Sequence, residues 1–337
     1  MTEYGEASLC LLSLRVLYSA MTNSREYAIE VEGLTKRYGA LWAINGVSFT
    51  VQRGEVFAFL GANGAGKTTT AEIIETLRAP TSGQVNVLGM DVTTRKRDIV
   101  PRIGVLPQGF SSFDLITVRE SIKYFASLYG CDAAVIDRMI DLANLRDTSD
   151  VQFRRLSGGM KQRLGIALAL VNDPEVVFLD EPTTGLDPQA RRAVWDVLRG
   201  LRSKGTTVFL TTHSMEEAEC LADTVAIISH GTIIASGSPD ELINRYAGSL
   251  WLTLKPDNAE DHEAITRLNL APFESIPQGI HIRLKRTEDV VAILASITQA
   301  GIALPHVEVR SSHLEEVFLS LTNNSLRAGA AASGDMT

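Results

Sequence analysis

Cysteine is scarce in this sequence, and its few copies lie far apart. The 337 residues include three cysteines, Cys10, Cys131 and Cys220, and no two of them have the short spacing of a zinc site or a redox motif. An odd number of separated cysteines argues against a disulfide-stapled secreted module. The composition instead favours free thiols in a reducing compartment.

Long apolar runs and an excess of positive charge are also missing. No stretch approaches the ~18 uncharged apolar residues of a membrane-spanning helix, because Arg15 interrupts the nearest candidate, residues 7–14. Glu3 and Glu6 precede that stretch where a secretory signal would carry positive charge. The formal net charge of −8 has the wrong sign for a dedicated duplex-binding protein. We therefore expect no spanning helix, no signal peptide and no nucleic-acid partner.

The length and composition fit about two globular domains at ~150 residues each. Hydrophobic residues make up 45% and charged residues 21%, which excludes a disordered or fibrous chain. Met21 could serve as the initiator methionine, so we expect the first twenty residues to be either an amphipathic appendage or the product of a mis-assigned upstream start. The predicted parts are an N-terminal extension (1–28), a large domain (29–245), a C-terminal accessory domain (246–322) and a disordered tail (323–337).

Four short apolar runs in the large domain predict strands that are buried on both faces. Helical stretches separate them, and this alternation predicts a doubly wound parallel sheet of the α/β class. The runs are residues 56–60, 176–179, 207–210 and 225–228.

Two other kinds of segment complete the prediction for the large domain. Residues 29–33 and 47–51 alternate apolar and polar side chains between turns, which predicts an antiparallel β subdomain. Residues 109–160 contain no buried run and are predicted to be a helical insertion, with a capping box from Thr117 to Glu120. One face of the helix that follows would carry Ile122, Phe125, Ala126 and Tyr129.

The C-terminal segment shows a weaker mixture of both patterns. Alternating strands, a helix, a short strand and a last helix predict a small α+β domain. These elements are expected at residues 249–254, 279–284, 288–300, 307–309 and 314–321.

One glycine-rich segment matches the phosphate-binding loop of nucleotide hydrolases. It lies between the buried strand at 56–60 and a predicted helix at 68–78, as such a loop requires. Glycines let the backbone curl round phosphate oxygens, and the helix N-terminus offers free amides. Lys67 would reach the β and γ phosphates of a nucleotide, and the Thr68 hydroxyl would hold Mg²⁺. The predicted ATP-binding residues here are Gly61, Ala62, Asn63, Gly64, Ala65, Gly66, Lys67, Thr68 and Thr69.

Two neighbouring acids end the predicted strand at 176–179. In phosphate-loop enzymes a carboxylate at this strand end lies beside magnesium, which is the role predicted for Asp180. Glu181 adds a carboxylate that can orient or deprotonate a water molecule. An Asp-Glu-Pro turn is by itself more often a cap or a solvated loop, and the upstream phosphate loop reverses that preference.

With these two sites, the run from Leu156 through Ser157, Gly158 and Gly159 to Met160 resembles the signature of ATP-binding cassette transporter subunits. The resemblance covers roughly residues 29–242. Considered alone, a serine and two glycines before a helix could bind an anion or simply cap the helix.

The resemblance also implies roles for four more residues. Tyr38 would stack on adenine, and Gln108 would link the γ phosphate and magnesium to the insertion. Asp187 would lie in a dimer-interface loop, and His213 would touch the γ phosphate. Without the resemblance, Tyr38 could be a packing residue and Gln108 a polar loop residue. The implied sets are Glu181 and His213 for catalysis, Thr68, Gln108 and Asp180 for metal, and Ser157, Gly158, Gly159 and Asp187 for the signature and dimer interface.

The family resemblance predicts an ATPase that uses ATP and Mg²⁺. It implies head-to-tail pairing with a second ATPase subunit, the same chain or a relative, and a separate permease at the cytoplasmic face of the membrane. Met160, where glutamine is commonest, and residues 313–319 are similar to exporters of the daunorubicin-resistance type. They predict export of a hydrophobic or amphipathic drug, antibiotic or lipid.

Two alternative functions stay open at this stage. An importer ATPase would have the same cassette and would work with a secreted binding protein. A soluble cassette ATPase acting on nucleic acid or ribosomes would usually carry paired cassettes or a long coiled coil, and neither pattern is present in this sequence.

Overall fold

The computed structural model describes residues 27–322 except 249, 269, 278, 285, 304 and 305. All but the last two residues of the predicted extension, and the whole predicted tail, lie outside the described residues. The chain divides between Ser236 and Gly237 into two compact units. Within the described part, no helix is both long and apolar enough to cross a membrane.

The elements are named in chain order. The strands are β1 Tyr27–Tyr38, β2 Leu41–Gln52, β3 Val56–Leu60, β4 Ser82–Val87, β5 Met90–Asp91, β6 Ile103–Leu106, β7 Val176–Asp180, β8 Thr207–Thr212, β9 Thr224–Ser229, β10 Thr232–Gly237, β11 Leu250–Lys255, β12 Phe273–Ile276, β13 Gly279–Leu284 and β14 His306–Ser311. The helices are α1 Lys67–Ile74, α2 Lys96–Ile99, α3 Val118–Leu128, α4 Ala134–Leu142, α5 Gly158–Ala169, α6 Pro188–Ser203, α7 Met215–Leu221, α8 Pro239–Leu242, α9 Ala259–Arg267, α10 Thr287–Gln299 and α11 at residues 314–322.

The first unit is built on a six-stranded sheet in the order β10-β9-β3-β8-β7-β6. Strand β3 pairs in parallel with β8 and β9, and β7 pairs in parallel with β6 and β8. The four predicted buried runs are all strands of this sheet, and β3, β7 and β8 are buried along their whole length. The predicted doubly wound α/β class is therefore confirmed.

Strand β6 was not predicted, and its glycine explains why. The run from Ile103 to Leu106 is short and is interrupted by Gly104, which weakens a strand pattern. A Cβ on Gly104 would lie 1.8 Å from the carbonyl oxygen of Ala169 at the end of α5. The glycine is therefore needed for the close approach of that helix.

A second, antiparallel sheet has the order β2-β1-β4-β5. The predicted antiparallel strands are present but longer than expected, since β1 and β2 pair from Tyr27 with Gln52 to Tyr38 with Leu41. Phe49 of this sheet stacks on Phe57 with ring centroids 5.1 Å apart, inside a buried cluster that also holds Phe209. This shared core fixes the β1–β2 hairpin against the strand that carries the phosphate loop.

The helical insertion contains α3 and α4 and begins with the predicted capping box. The Thr117 side chain accepts the Glu120 N–H, and the Glu120 side chain accepts the Thr117 N–H. Ile122 and Ala126 are buried as predicted. Tyr129 was wrongly placed on the buried face, because α3 ends at Leu128 and Tyr129 caps it with 45% of its surface exposed.

The second unit has the strand and helix succession βαββαβ. Its sheet has the order β12-β13-β11-β14, and its three strand pairs are antiparallel, which is the ferredoxin-like split βαβ arrangement. The predicted strands and helices are present. Helix α9 and strand β12 were missed, because Ile265 is the one buried residue of α9 and β12 has no fully buried residue.

Candidate functional site

The glycine-rich loop runs from the end of β3 into α1, as its sequence predicts. A Cβ on Gly66 would lie 2.6 Å from the backbone oxygen of Ala43 on β2, and a Cβ on Gly61 would lie 2.5 Å from that of Ile228 on β9. Gly66 has a φ of 107°, which glycine adopts without strain. The loop therefore fits between β2 and β9, which belong to different sheets, only with glycine at both positions.

Lys67 is the first residue of α1 and points back into the loop. Its Nζ donates to the carbonyl oxygens of Gly61 at 2.9 Å and Ala62 at 3.2 Å. Helix α1 is shorter than predicted and ends at Ile74, because Thr76 turns the chain with a positive φ of 66°. The short helix leaves the buried Glu75 at its end.

Glu181 is the point where the predicted catalytic residues meet. It follows β7 with a φ of 50°, a strained conformation for a non-glycine residue. Its N–H donates to the Thr211 carbonyl at 3.0 Å, which holds the backbone on β8. Its carboxylate has Lys67 Nζ at 3.3 Å and His213 Nδ1 at 3.1 Å.

Two further donors reach the Glu181 carboxylate. Gln108 Nε2 donates at 3.3 Å, and Thr184 Oγ1 donates at 3.0 Å. Burial by itself would raise the pKa of Glu181, but hydrogen bonds from Thr184 and His213 and the charge of Lys67 together lower it below its usual value. Glu181 is therefore a carboxylate at neutral pH. Thr184 was not predicted, and only its position beside the acid could have indicated it.

Asp180 lies under Glu181 at the end of β7. It is buried, and its Oδ1 accepts a hydrogen bond from the Thr211 hydroxyl. Glu75 is the unpredicted neighbour of this acid. Burial, Asp180 and Glu72 raise the pKa of Glu75 to about 8. A second acid therefore faces Asp180, in a form that is largely protonated at neutral pH.

A cleft of about 260 Å³ opens beside Glu181. It brings together eight predicted residues and also Ala43, which no sequence pattern had indicated. Its lining is Ala43, Asn63, Gly64, Gly66, Lys67, Thr68, Thr69, Gln108 and Glu181. We call it the phosphate-loop cleft.

The remaining predicted ATP-binding residues lie beside or away from this cleft. The Ala65 side chain packs in the core, so only its backbone can face a ligand. Tyr38 is 40% exposed at the end of β1 and does not line the cleft. The Lys36 ammonium lies 5.3 Å and the Arg78 guanidinium 5.4 Å from the Tyr38 ring centroid. An adenine would have to share this ring with two cations.

The predicted signature residues lie in another cleft, of about 360 Å³, in the same unit. Ser157 accepts the Met160 N–H at 3.3 Å and caps α5, and Asp187 accepts the Ala190 N–H at 2.9 Å and caps α6. A Cβ on Gly159 would lie 2.6 Å from the Ala190 side chain, so glycine is needed where the two helices meet. We call this the signature cleft. Its lining is Asn144, Ser157, Gly159, Met160, Arg163, Asp187, Gln189, Ala190 and Ala193.

The donors at the phosphate-loop cleft suit magnesium better than a tightly ligated transition metal. Among the described residues, no cluster of three or more His, Cys, Asp or Glu side chains could hold a metal ion by itself. Thr68 and Asp180 offer a hydroxyl and a carboxylate. Oxygen donors few in number are typical of Mg²⁺ that is bound together with substrate phosphates.

Comparisons with known proteins agree with this geometry. Residues 44–184 match the ABC transporter family. Nod factor export ATP-binding protein I of Ralstonia nicotianae is 40% identical over 310 residues, which is 89% of this chain and 95% of that protein. The protein of that name from Rhizobium meliloti is 40% identical over 305 residues, 89% of each chain. The dimeric structure of MJ0796, a bacterial ABC transporter cassette, is 25% identical with a TM-score of 0.57 and covers 62% of this chain and 98% of that one.

Proposed function

Because this chain belongs to the ABC transporter ATP-binding proteins, a family that hydrolyses ATP, we propose that it is the ATPase subunit of an exporter. The observation that carries the catalytic part of the proposal is the convergence of Lys67, Gln108 and His213 on one carboxylate, that of Glu181. The relatives named for Nod factor export favour an exporter over an importer.

In the proposed mechanism, Glu181 accepts a proton from the attacking water. Its lowered pKa keeps it ionised, and hydrogen bonds from Gln108, Thr184 and His213 hold the carboxylate in one orientation. Lys67 places an ammonium where phosphate charge develops, since its Nζ is buried at the start of α1. Thr68, Asp180 and Gln108 would hold Mg²⁺, which would neutralise charge on the phosphates.

The signature cleft has a different proposed role, as half of a site completed by a second ATPase subunit. Ser157 and the N-terminus of α5 present amides to an anion, and Asp187 lies beside them at the start of α6. The phosphate-loop cleft and the signature cleft share no lining residue. Head-to-tail pairing would place the phosphate-loop cleft of one copy against the signature cleft of the other.

The partner in the membrane is proposed to dock on an apolar patch of the helical insertion. The patch consists of large apolar side chains that are about half exposed or more, and Phe113 packs edge-on against Tyr124 with ring centroids 5.6 Å apart. It begins a few residues after Gln108, which hydrogen-bonds to Glu181. We call this the insertion patch. Its members are Phe113, Leu115, Tyr124, Leu128 and Tyr129.

The proposed membrane partner also determines the proposed location of the chain and the cargo. A permease would supply the translocation pathway, and the chain would lie at the cytoplasmic face of the membrane as a peripheral subunit. The proposed cargo is a hydrophobic or amphipathic compound. A drug or antibiotic of the daunorubicin type and a lipid are candidate cargoes of that class.

Co-purification tests the proposal directly. Tagged full-length chain, isolated from detergent-solubilised membranes of its own cell, should retain one polytopic membrane protein. Phe113→Asp should reduce that recovery at least about tenfold, because a charge would replace an aromatic ring at the proposed contact. The matched control is Val291→Asp, which changes a similarly exposed apolar residue of α10. Equal recovery with both variants would contradict docking at the insertion patch, and recovery of no membrane protein by the parent chain would contradict the exporter assignment.

A further inference from the structure

Glu217 is a buried carboxylate that the proposed mechanism does not use. It lies on α7 with 1% of its surface exposed. Its Oε1 accepts hydrogen bonds from Thr183 Oγ1 at 2.7 Å and from Trp195 Nε1 at 3.4 Å, and the Thr212 side chain hydrogen-bonds to the same carboxylate. Burial raises the pKa of Glu217 even though these three groups oppose that shift.

Each of the three donors belongs to a segment that borders a cleft. Thr183 comes two residues after Glu181, and Thr212 comes directly before His213. Trp195 lies on α6, the helix capped by Asp187 at the signature cleft. One buried side chain thus connects the three segments that carry the proposed base, the proposed phosphate-contacting histidine and the proposed dimer-interface residue.

The backbone around His213 is held by the same small cluster. Ser214 caps α7 by accepting the Glu217 N–H at 3.3 Å, and the Ser214 N–H donates to Thr212 Oγ1 at 2.9 Å. Thr212 is therefore bonded both to the helix cap and to the Glu217 carboxylate. The rotation of the His213 segment is limited by contacts that lie outside the phosphate-loop cleft.

We propose that Glu217 is a positioning residue for ATP hydrolysis, which sets the 3.1 Å contact between Glu181 and His213 by fastening the chain on both sides of it. This inference rests on the proposed roles of Glu181 and His213. Rates of chemical steps fall by up to ~10²-fold for an ångström of misplacement. We expect phosphate binding by the glycine-rich loop to change little, because the loop meets this cluster through the backbone, where the Gly61 N–H donates to the Thr212 carbonyl at 3.2 Å.

A carboxylate suits this position better than other polar groups. Its two oxygens only accept, whereas a glutamine amide would present an N–H₂ group to at least one of the three donors. A threonine hydroxyl can turn round and accept from that amide, although the Trp195 N–H cannot. Glu217→Gln should therefore keep most of these hydrogen bonds, while Glu217→Ala should remove all three.

The test measures kcat and KM for ATP with the purified full-length chain. Glu217→Ala should lower kcat by about 10–100-fold and change KM by less than about twofold. Glu217→Gln should recover most of the lost kcat. The matched control is Glu216→Ala, because Glu216 is the exposed neighbour on α7 and forms an ion pair with Arg191 at 3.0 Å. It should hydrolyse ATP at the parent rate.

A double variant adds a readout of the coupling itself. If Glu217 acts through His213, Glu217→Ala should lower kcat little further in a His213→Ala background. If Glu217→Ala does not fold, Thr183→Val and Thr212→Val replace two of its donors with side chains of the same shape, and each should lower kcat several-fold with KM preserved.

A folded Glu217→Ala protein with the parent kcat would overturn the inference, and so would equal losses of kcat and ATP affinity. If the alanine variant does not fold, the inference is overturned when Thr183→Val and Thr212→Val both keep the parent kcat. Glu181→Gln measured in parallel separates this failure from that of the proposed mechanism. Hydrolysis that nearly stops in Glu181→Gln but continues at the parent rate in Glu217→Ala refutes only the role of Glu217. Hydrolysis at the parent rate in Glu181→Gln refutes the catalytic assignment on which it rests.

Discussion

The phosphate-loop cleft and the signature cleft lie in one unit but are built in opposite ways. At the first, side chains from distant segments meet at one buried carboxylate, as in the contacts of Lys67 and His213 with Glu181. At the second, Ser157 and Asp187 make only local bonds, each capping its own helix. The phosphate-loop cleft contains a buried ion pair of Lys67 and Glu181, while the signature cleft presents the N-termini of α5 and α6.

This difference suggests how the proposed work is divided between copies of the chain. A cleft with buried and mutually oriented charges can hold and polarise phosphates by itself. Helix N-termini supply partial charges that become useful only when an anion is brought to them. The phosphate-loop cleft is then the primary site, and the signature cleft depends on a partner.

The largest expected effect separates chemistry from binding at the phosphate-loop cleft. Glu181→Gln should lower the rate of ATP hydrolysis by about 10²–10⁴-fold, because it removes the general base, while ATP affinity stays within a few-fold of the parent value. Phosphate release and equilibrium ATP binding measure the two quantities. Glu216→Gln, an exposed change, is the control. A Glu181→Gln protein that hydrolyses ATP at the parent rate would refute the assignment of Glu181 as the general base in this cleft.

A smaller effect is expected at the signature cleft, and it tests the need for a partner. In the Glu181→Gln background, which should preserve intact ATP, the chain should form an ATP-dependent dimer on size exclusion. Ser157→Arg added to it should weaken that dimer at least about tenfold, since a bulky side chain would fill the turn that faces the anion. ATP binding by the monomer should not change.

Ser203→Arg at the exposed end of α6 provides the matched control and should leave the dimer intact. Loss of monomeric ATP binding in the Ser157→Arg variant would show that the two clefts are not independent. A dimer that forms equally well with arginine at this position would argue against the signature cleft as half of a site.

The smallest effect concerns stability beneath the phosphate-loop cleft. The pKa of Glu75 is raised from 4.5 to about 8 in the folded chain, so folding favours its protonated form. Stability should therefore fall as the pH rises from about 5 to about 8, as ionisation of this acid becomes possible in the unfolded chain but remains unfavourable in the folded one. Glu75→Gln should remove this loss, which is on the order of a few kcal/mol at pH 8.

Thermal unfolding in magnesium-free and nucleotide-free buffer at pH 5 and pH 8 measures this difference. Glu216→Gln is the control, because Glu216 is an exposed acid of α7 that is not among the groups raising the pKa of Glu75. The advantage of Glu75→Gln over the parent should be larger at pH 8 than at pH 5. If the parent and Glu75→Gln lose the same stability between pH 5 and pH 8, ionisation of Glu75 does not destabilise the folded chain. Buried charge would then distinguish the two clefts less than we infer.

Local signals in the sequence predicted much of the fold. The glycine-rich loop, the acids after a buried strand and the Thr117 capping box depend on neighbours within a few residues, and all three are found where they were expected. Strand β6 and helix α9 were missed because the first is short and contains a glycine and the second buries a single residue. The predicted domain boundaries and the roles of the site residues stay predictions.

The features that could be assigned from the order of residues alone are those that depend on neighbours along the chain. A strand, a glycine turn and a helix N-terminus lie in one continuous stretch, so Lys67 and Thr68 could be assigned to phosphate binding from their order alone. The side chains around Glu181, the approach of Glu75 to Asp180 and the three segments joined by Glu217 could be read from the folded chain but not from the sequence. Those contacts join residues far apart in the chain, and their strength comes from burial, which no local pattern encodes.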